Sequence, residues 1–324
     1  MKGLVNVGGA NKINWSGIEK DLLQEYGLSN LRIKGEYRSV LQLGSNSGDF
    51  ALKCIALKQK NLQFLLEVLG FLKLRGFTNF QALVPTLSGQ YWISEKAGTY
   101  ILAKWIEGRE SNLSDSRDLG IYARTLGQLH RLTAGFRPVG NPWEERWSAK
   151  LLELVNISED ISCPERIKKL IPAVINSGDK ALSLLKNPEV ARSLSQPAVV
   201  CHHDLTYRNF IITPNNEGFF IDFDYAKADV ALRDLAQFLA KVIKDNNSET
   251  AVHILSVYAE ERPLSNGDIG AMLAFLYFPR SLWGFGERIR NVTGRKAYEE
   301  AVSKVEKRLA RQDSLDNLCS KLGF

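Results

Sequence analysis

Side chains that can carry out chemistry are concentrated in the stretch VVCHHDLTYRNFII, residues 199–212, which lies between two apolar runs. Asp204 and Asn209 belong to this stretch, and Asp222 ends the next strand-like run. The turn PNNEG between the runs predicts a hairpin, so the three side chains can converge at one end of a sheet. Two carboxylates and an amide oxygen suit Mg²⁺, while one carboxylate can stay free to accept a proton from an attacking hydroxyl. The spacing therefore predicts a magnesium site with a proton acceptor beside it.

The letters CHH at residues 201–203 raise zinc binding as an alternative. Neighbouring residues on a strand point to opposite faces of the sheet, so Cys201 and His202 are poorly placed to bind one ion together. No other Cys/His pair in the chain has the spacing of zinc ligands. The sequence therefore favours the oxygen-ligand site.

The elements that must position these residues change in type along the chain. Residues 31–55 read as strands broken by a turn at 44–49, residues 60–74 as a helix, and residues 90–108 as a hairpin turning at Lys96–Gly98. After residue 108 the pattern is mostly helical apart from the polar hairpin. Helical spacing recurs at 114–132, where a Ser/Asp cap begins the run, and at 144–156, 177–196, 231–244, 249–260, 268–283 and 297–311.

This order of elements predicts an α+β fold with two lobes. A small β-rich lobe would span residues 1–104 and a larger, mainly helical lobe residues 105–324. No run approaches the roughly 18 apolar residues of a transmembrane helix, and the amino terminus lacks the apolar segment of a secretory signal. The four cysteines are far apart and form no CxxC pair, as expected of reduced thiols in a cytoplasmic protein.

Net charge is unevenly distributed. Residues 1–104 hold 13 Lys/Arg and 7 Asp/Glu, out of 42 and 36 in the whole chain, so the remaining residues balance at 29 of each. A basic lobe indicates either an anionic ligand such as a nucleotide phosphate or a nucleic-acid surface. Because the basic residues are scattered, we expect the phosphate ligand, with no nucleic acid and no membrane as partner.

The polar hairpin resembles a kinase catalytic loop. The pattern H-x-D-x-x-x-x-N is present from His202 to Asn209, and IDFD follows at 221–224. With DLAQFL after it, this version resembles the aminoglycoside phosphotransferase and choline kinase superfamily. The stretch FALK, residues 50–53, independently matches the VAIK strand of protein kinases. Within the superfamily, YILAKWIEGRE (100–110) and FPRSLWGFGERIRN (278–291) resemble the spore-coat protein S family of endospore-forming bacteria.

The resemblance, which covers roughly residues 30–290, implies a role for each matched polar residue. Asp204 would orient or deprotonate the acceptor hydroxyl, and Asn209 and Asp222 would bind Mg²⁺. His202 and Asp234 would brace the catalytic loop.

The resemblance also implies an ATP site in the first lobe. Lys53 would hold the α- and β-phosphates, and the small Ala51 would leave room for adenine. Lys104, Trp105 and Ile106 would form the hinge that meets adenine through backbone groups.

The sequence departs from the superfamily pattern at three places. The phosphate loop KGEYRSV has only Gly35, and Tyr37 and Arg38 are candidates to replace the missing backbone contacts. His203 takes the place of the glycine in the usual H-G-D. The acid that pairs with Lys53 is open: Glu67 fits on the right helix, but it fits an exposed helix acid equally well.

Candidate residues for the acceptor pocket are mostly aromatic, although each tryptophan taken singly is better explained by packing in the core or between the lobes. Asp224 fits either the pocket or a brace of the loop, whereas His130 reads as a structural helix residue. The possible pocket residues are Asp224, Tyr225, Trp143, Trp147 and Trp283.

These observations predict an ATP- and Mg²⁺-dependent kinase that phosphorylates a hydroxyl of a small molecule, a sugar or an amino alcohol. The alternative is a non-catalytic, kinase-like structural protein of the spore coat, with other coat proteins as partners. A protein kinase is disfavoured, because only 11 residues separate Asp222 from Asp234 and no APE motif follows.

Overall fold

The fold is that of a computed structural model, which describes residues 15–37, 40–55, 59–95, 98–137, 143–159, 163–243, 248–291 and 294–324. Along the chain the strands are β1 (Arg32–Tyr37), β2 (Val40–Ser45), β3 (Gly48–Ile55), β4 (Ile93–Glu95), β5 (Gly98–Lys104), β6 (Arg109–Glu110), β7 (Val199–Cys201), β8 (Phe210–Ile212), β9 (Gly218–Phe220) and β10 (Lys227–Asp229). The helices are α1 (Trp15–Glu25), α2 (Gln59–Leu74), α3 (Ser116–Leu132), α4 (Trp143–Glu159), α5 (Glu165–Leu185), α6 (Pro188–Leu194), α7 (Ala231–Val242), α8 (Ser248–Glu261), α9 (Asn266–Tyr277), α10 (Arg280–Trp283), α11 (Phe285–Asn291), α12 (Arg295–Leu309) and α13 (Gln312–Lys321).

The chain divides into two compact units. Unit 1 comprises Met1–Glu110 with Arg208–Asp224, and unit 2 comprises Ser111–Tyr207 with Tyr225–Phe324. The sequence-based boundary after residue 104 differs from this division, which also groups the hairpin 208–224 with the first unit. The reason is a strand pairing between β6 and β8, which are distant in the chain.

Unit 1 is built on an antiparallel sheet whose described strands lie in the order β1-β2-β3-β5-β4. One face of the sheet packs on α1 through buried residues that include Leu22, Leu52 and Leu102. Residues of β3 and β5 that alternate with these point to the other face. The predicted strands, the helix at 60–74 and the pairing of the 90–108 hairpin are confirmed. The turn predicted at 96–98 includes residues 96–97, which lie outside the described ranges.

A smaller sheet in unit 1 has the order β6-β8-β9. Phe210 pairs with Phe220, and between them the turn closes with a hydrogen bond from Thr213 N to the Glu217 carbonyl (3.0 Å). Asn216 in this turn has a φ of 62°, a left-handed conformation that asparagine adopts more readily than most residues. The predicted PNNEG hairpin is therefore confirmed.

Unit 2 is mainly helical. Helix α3 begins after Asp115, whose side chain accepts hydrogen bonds from the N–H groups of Arg117 and Asp118, as the cap at 114–115 predicted. The run predicted as one helix at 177–196 is instead two helices, because Asn187 caps a new helix and Pro188 is its first residue. Pro279 likewise divides the run predicted at 268–283. In the part of the chain that the structure describes, no helix is long and apolar enough to cross a membrane.

Candidate active site

Unit 1 contains a cavity of about 500 Å³ lined by the face of the sheet opposite α1. Lys53 pairs across the sheet with Val40 and Ile101, and all three line the cavity. Ala51 pairs with Ala103, and these two small side chains also face the cavity. The alternation of β3 therefore sets an apolar wall beside one lysine.

Lys53 is bound to two carboxylates of the hairpin segment. Its Nζ donates hydrogen bonds to Asp222 Oδ1 and Asp224 Oδ2, each at 2.7 Å. Burial opposes the charge of Lys53, but the two carboxylates outweigh this and raise the pKa of Lys53 above its usual range. The pKa of Asp224 is also raised, first by burial and then by the nearby Asp222, against the opposing effect of Lys53. One ammonium group thus forms ion pairs with two closely spaced carboxylates.

Lys53, whose acidic partner the sequence left open, is therefore bound to the hairpin pair Asp222 and Asp224. Glu67 is exposed on α2, while Leu65 and Leu69 of the same helix face the cavity. The sequence could not predict the contact between Lys53 and Asp224, because the two residues are 171 positions apart and their contact leaves no local pattern.

Asn209 and Asp222 lie at the same end of the hairpin. Ile221 N donates to the Asn209 carbonyl at 3.0 Å, one pair beyond the last pair of the ladder, and both Asn209 and Asp222 line the cavity. Asp222 has a φ of 63°, a left-handed backbone that needs support from its surroundings. An amide and two carboxylates here are the oxygen ligands that Mg²⁺ prefers, and the donor set fits that ion.

The predicted hinge follows β5. Trp105 and Ile106 line the cavity, whereas Lys104 directs its side chain over the Phe50 ring at 4.6 Å. The Lys104 carbonyl accepts a hydrogen bond from Gln81 Nε2 (3.0 Å), and Trp105 N donates to the Asp49 carbonyl (3.0 Å). These two hydrogen bonds fix the backbone at the end of β5.

The predicted phosphate loop contributes an aromatic residue. Tyr37, on β1, lines the cavity, and its ring lies 5.3 Å from that of Trp105. A Cβ at Gly35 would come within 2.7 Å of Tyr37 Cε2, so the glycine allows this ring to lie close to the strand. Arg38, the other candidate, lies outside the described residues.

Unit 2 carries the loop that the sequence predicts to be catalytic, which follows β7. His202 N and His203 N donate to the two carboxylate oxygens of buried Asp234, at 2.6 and 3.1 Å. Asp204 N lies 3.3 Å from His202 Nδ1. The bracing contact predicted for Asp234 is therefore present in the structure, while the functional role of every site residue stays a prediction.

Sequence reasoning missed how His203 is accommodated. His203 has a φ of 63°, where the superfamily pattern has glycine, and its Nε2 lies 3.2 Å from Asp229 Oδ2. Arg233, four residues after Asp229, also contacts that carboxylate. The positive φ could have been expected, because a glycine position often requires one.

His130 has the structural surroundings that its sequence context predicted. It is fully buried, with Nδ1 2.8 Å from the Tyr258 hydroxyl and Nε2 3.6 Å from Asp234. Burial lowers the pKa of His130, against the opposing effect of Asp234. Cys201 lies close to His130 and Asp234, and these three buried residues are of the types that can bind a metal ion. Both Asp234 oxygens, however, already accept hydrogen bonds from the backbone.

Of the aromatic candidates for an acceptor pocket, the structure describes the side chains of Trp147, Trp283 and Tyr225. Trp147 is fully buried and packs edge-on against Phe275 and Phe278, so it belongs to the core of unit 2. Trp283 is also buried, while Tyr225 is 64% exposed. The side chain of Trp143 lies outside the described part of the chain. The prediction of Trp147 as a pocket residue is thus corrected: the volume of its ring suits a helical core equally well.

Comparison with solved structures relates this arrangement to small-molecule kinases. An aminoglycoside phosphotransferase from Alicyclobacillus acidocaldarius is 18% identical with a TM-score of 0.75, covering 94% of this chain and 96% of that one. A microcompartment-associated aminopropanol kinase is 16% identical with a TM-score of 0.66 (95% and 98%). A spectinomycin phosphotransferase complex with ADP and spectinomycin is 15% identical with a TM-score of 0.64 (94% and 98%). These likenesses confirm the predicted protein-kinase-like α+β fold, with a β-rich N-terminal lobe and a mainly helical remainder.

Sequence comparison identifies the family. An uncharacterized protein of Deinococcus radiodurans is 33% identical over 91 residues, a match that covers only 26% of this chain and 26% of that protein. Residues 31–265, which carry both the lysine strand and the polar hairpin, match the phosphotransferase enzyme family, APH. The prediction of a phosphotransferase is confirmed at the level of the family, whereas membership of the spore-coat protein S family stays a prediction. The ion-paired lysine, the hairpin acids and this match together identify the chain as a member of the phosphotransferase enzyme family.

Proposed function

We propose that this protein transfers the γ-phosphate of ATP, with Mg²⁺, to a hydroxyl group of a small, neutral or singly charged acceptor. The observation that carries the proposal is the pair of 2.7 Å hydrogen bonds from Lys53 to Asp222 and Asp224 inside the unit 1 cavity. A buried ammonium is suited to bind phosphate oxygens, and neighbouring carboxylates are suited to a cation that accompanies them.

Each residue has a distinct task in this mechanism. Lys53 would hold the α- and β-phosphates, while the apolar wall at Ala51 and the backbone near Ile106 would hold the base. Asn209 and Asp222 would hold Mg²⁺, which would supply charge neutralisation of the phosphates when bound.

Asp204 would act on the acceptor. The acceptor oxygen forms a bond to the γ-phosphorus as the bond from that phosphorus to the β,γ-bridging oxygen breaks, and ADP leaves. The proton of the hydroxyl passes to the Asp204 carboxylate. The bonds from His202 and His203 to Asp234 fix the backbone that carries this carboxylate.

Removing the proposed metal ligand tests the first half of this mechanism. In wild type, Mg²⁺ should increase the thermal stabilisation given by ATP, and Mg-ATP at about 100 times its Kd should stabilise the folded state by about 2.7 kcal/mol in total. In Asp222→Ala we expect ATP to stabilise equally with and without Mg²⁺. Asp49→Ala is a matched control, because Asp49 binds Lys34 on the same sheet and does not line the cavity. Equal responses of Asp222→Ala and Asp49→Ala to Mg²⁺ would exclude Asp222 as the metal ligand.

Charge supports the choice of acceptor class. A polycationic aminoglycoside requires a concentrated acidic surface, but residues 105–324 balance at 29 basic and 29 acidic residues. Residues 140–196 also mix the two signs, as in EERWSAK and ERIKK. Solved structures of this fold are named for both aminoglycosides and aminopropanol, so the fold alone does not choose. The balance favours a sugar or an amino alcohol.

A substrate panel tests this choice. With labelled ATP and Mg²⁺, we expect phosphorylation of a sugar or an amino alcohol and poor turnover of aminoglycosides. Specificity constants compared across the three classes give the answer. A kcat/KM at or above about 10⁴ M⁻¹s⁻¹ for a kanamycin-like compound would refute the acceptor proposal while leaving phosphoryl transfer intact.

Association with the spore coat and a cytoplasmic location stay predictions that rest on the sequence. The non-catalytic alternative makes a different prediction for the same panel: neither nucleotide binding nor turnover. Lys53, Asp204, Asn209 and Asp222 are all present, which favours the catalytic alternative.

A further inference from the structure

One side chain of helix α7 brackets Asp204. Gln237 Nε2 donates to the carbonyl of His203 at 2.9 Å, and Gln237 Oε1 accepts from the N–H of Leu205 at 3.2 Å. A single amide is therefore hydrogen-bonded to the backbone immediately before and immediately after Asp204. Both bonds must break if the peptide groups flanking this residue rotate.

A second side chain of α7 extends this contact. Lys241 Nζ donates to the carbonyl of Leu205 at 2.5 Å. Burial lowers the pKa of Lys241, while the nearby charges of Asp204 and Asp234 oppose this. Burying an ammonium group costs free energy unless the group is hydrogen-bonded. The hydrogen bond from Lys241 to the Leu205 carbonyl offsets part of that cost, and it holds the residue directly after Asp204.

These side chains lie on one face of the helix. Asp234, Gln237 and Lys241 are spaced by three and four residues, so they follow one another along the same stripe of α7. Together they bond five backbone groups of the loop, in chain order: the N–H groups of 202 and 203, the carbonyl of 203, and the N–H and carbonyl of 205.

The loop needs such support because it has no regular structure of its own. Residues 202–206 lie between β7 and the short 3₁₀ turn at Tyr207–Asn209. His203 within it is held at a φ of 63°, which costs a non-glycine residue free energy unless its surroundings fix it. Gln237 and Asp234 bond to both backbone groups of His203, and so they hold this conformation directly.

We propose that Gln237 and Lys241 are positioning residues that fix the orientation of Asp204 during phosphoryl transfer. The proposal rests on the function proposed above, in which Asp204 accepts the proton of the attacking hydroxyl. Neither residue touches the reacting atoms in this proposal; both act through the backbone of 203–205.

The expected effect is a loss of rate without a loss of nucleotide affinity. A misplacement of about 1 Å can slow a reaction by about 10²-fold, so Gln237→Met should lower kcat by about 10- to 100-fold. Lys241→Met should lower kcat by about 10-fold, and Lys241→Arg, which keeps a charged donor, should recover most of it. The KM for ATP should change by less than about threefold in all of them.

The assay is the release of phosphate from ATP with Mg²⁺, with water as the acceptor, alongside thermal unfolding of each variant. Gln128→Met and Lys180→Met are matched controls in unit 2, because Gln128 binds Glu261 (2.9 Å) and Lys180 binds Asp316 (2.8 Å). They remove the same chemical groups elsewhere and should leave kcat within about twofold of wild type. A merely structural role would lower the melting temperature of test and control variants alike and leave kcat unchanged in both.

A double-mutant cycle with Asp204→Asn decides whether the effect passes through Asp204. Once the proton acceptor is removed, Gln237→Met should slow the reaction by less than about twofold further. Independent, multiplying effects would overturn the inference, as would a wild-type kcat in Gln237→Met. Gln237→Glu is a second variant, for use if Gln237→Met does not fold. It keeps the oxygen that accepts from Leu205 but loses the donor to His203. Its kcat should also fall by about 10-fold. If Asp204→Asn alone turned over like wild type, the proposed role of Asp204 would fall first, so the two failures are distinct.

Discussion

Lys53 is held between Asp222 and Asp224, and in the proposed function this triad would determine how the cavity receives a nucleotide. The Lys53 ammonium forms ion pairs with both carboxylates. The side chains of Lys53 and Asp224 are each 18% exposed, and that of Asp222 is 36% exposed. Phosphate oxygens must compete with these carboxylates for Lys53 Nζ. A cation that neutralises the carboxylates releases the lysine for the phosphates, so metal and nucleotide should bind with positive coupling.

Replacing Lys53 should make stability strongly dependent on pH. Without the ammonium, burial and the neighbouring acid raise the pKa of Asp224 further, while its unfolded value stays near about 3.9. Between those values the folded state binds more protons than the unfolded state, so stability falls as pH rises. Lys53→Met should therefore lose more stability, relative to wild type, at about pH 7.5 than at about pH 5.

The control for this prediction is Lys34→Met. Lys34 also pairs with an aspartate of unit 1, Asp49, but this pair is exposed and outside the cavity. Its loss should have a small effect at both pH values. Chemical denaturation at the two pH values measures the difference, and an equal loss for Lys53→Met at both would show that the carboxylates do not depend on Lys53.

At the scale of elements, periodicity and turn residues predicted most of what positions the site. The alternation of FALK placed Ala51 and Lys53 on one face of β3, and PNNEG placed the turn between β8 and β9. Breaks inside the helical runs were harder to predict. Two runs are interrupted at Pro188 and Pro279, but amphipathic spacing continues after each proline and hides the break. Short elements such as β10 have too few residues for a periodic signal.

Local sequence patterns could not predict the long-range contacts of the candidate site. The sequence offered Glu67 as the acid beside Lys53 and gave Asp224 only as a pocket residue or a brace of the loop, since the contact between Lys53 and Asp224 depends on tertiary packing. It likewise could not tell whether the apolar face of α4 lines a pocket or fills a core. The structure places Trp147 of that helix in the core.

Truncating Trp147 tests this placement on α4. Trp147→Ala removes a fully buried ring that contacts Phe275 and Phe278, and the free energy of unfolding should fall by about 3–5 kcal/mol. Leu152→Ala on the same helix is the control, because Leu152 is 62% exposed and should change stability by less than about 0.5 kcal/mol. Turnover per folded molecule should be unchanged in both. A large rise in the KM of an acceptor in Trp147→Ala, at unchanged stability, would return this residue to the pocket.

At the scale of the whole molecule, the polar hairpin is divided between the two units. Asp204 belongs to unit 2 and is braced by α7, while Asn209 and Asp222 belong to unit 1 with Lys53. Only four residues lie between Asp204 and Asn209, so the division falls within the motif that the sequence recognised as one. The proposed reaction accordingly assigns nucleotide and metal binding to unit 1 and proton transfer to unit 2.

The most direct test of the account measures these two tasks separately in Asp204→Asn. This substitution keeps the shape of the side chain and removes its capacity to accept a proton. Phosphate transfer from labelled ATP, with water and with each compound of the panel as acceptor, gives kcat; calorimetry with Mg²⁺ and ATP gives the nucleotide Kd. The account predicts a fall in kcat of about 10²–10⁴-fold with a Kd within about threefold of wild type. A variant that transfers phosphate at the wild-type rate would contradict it.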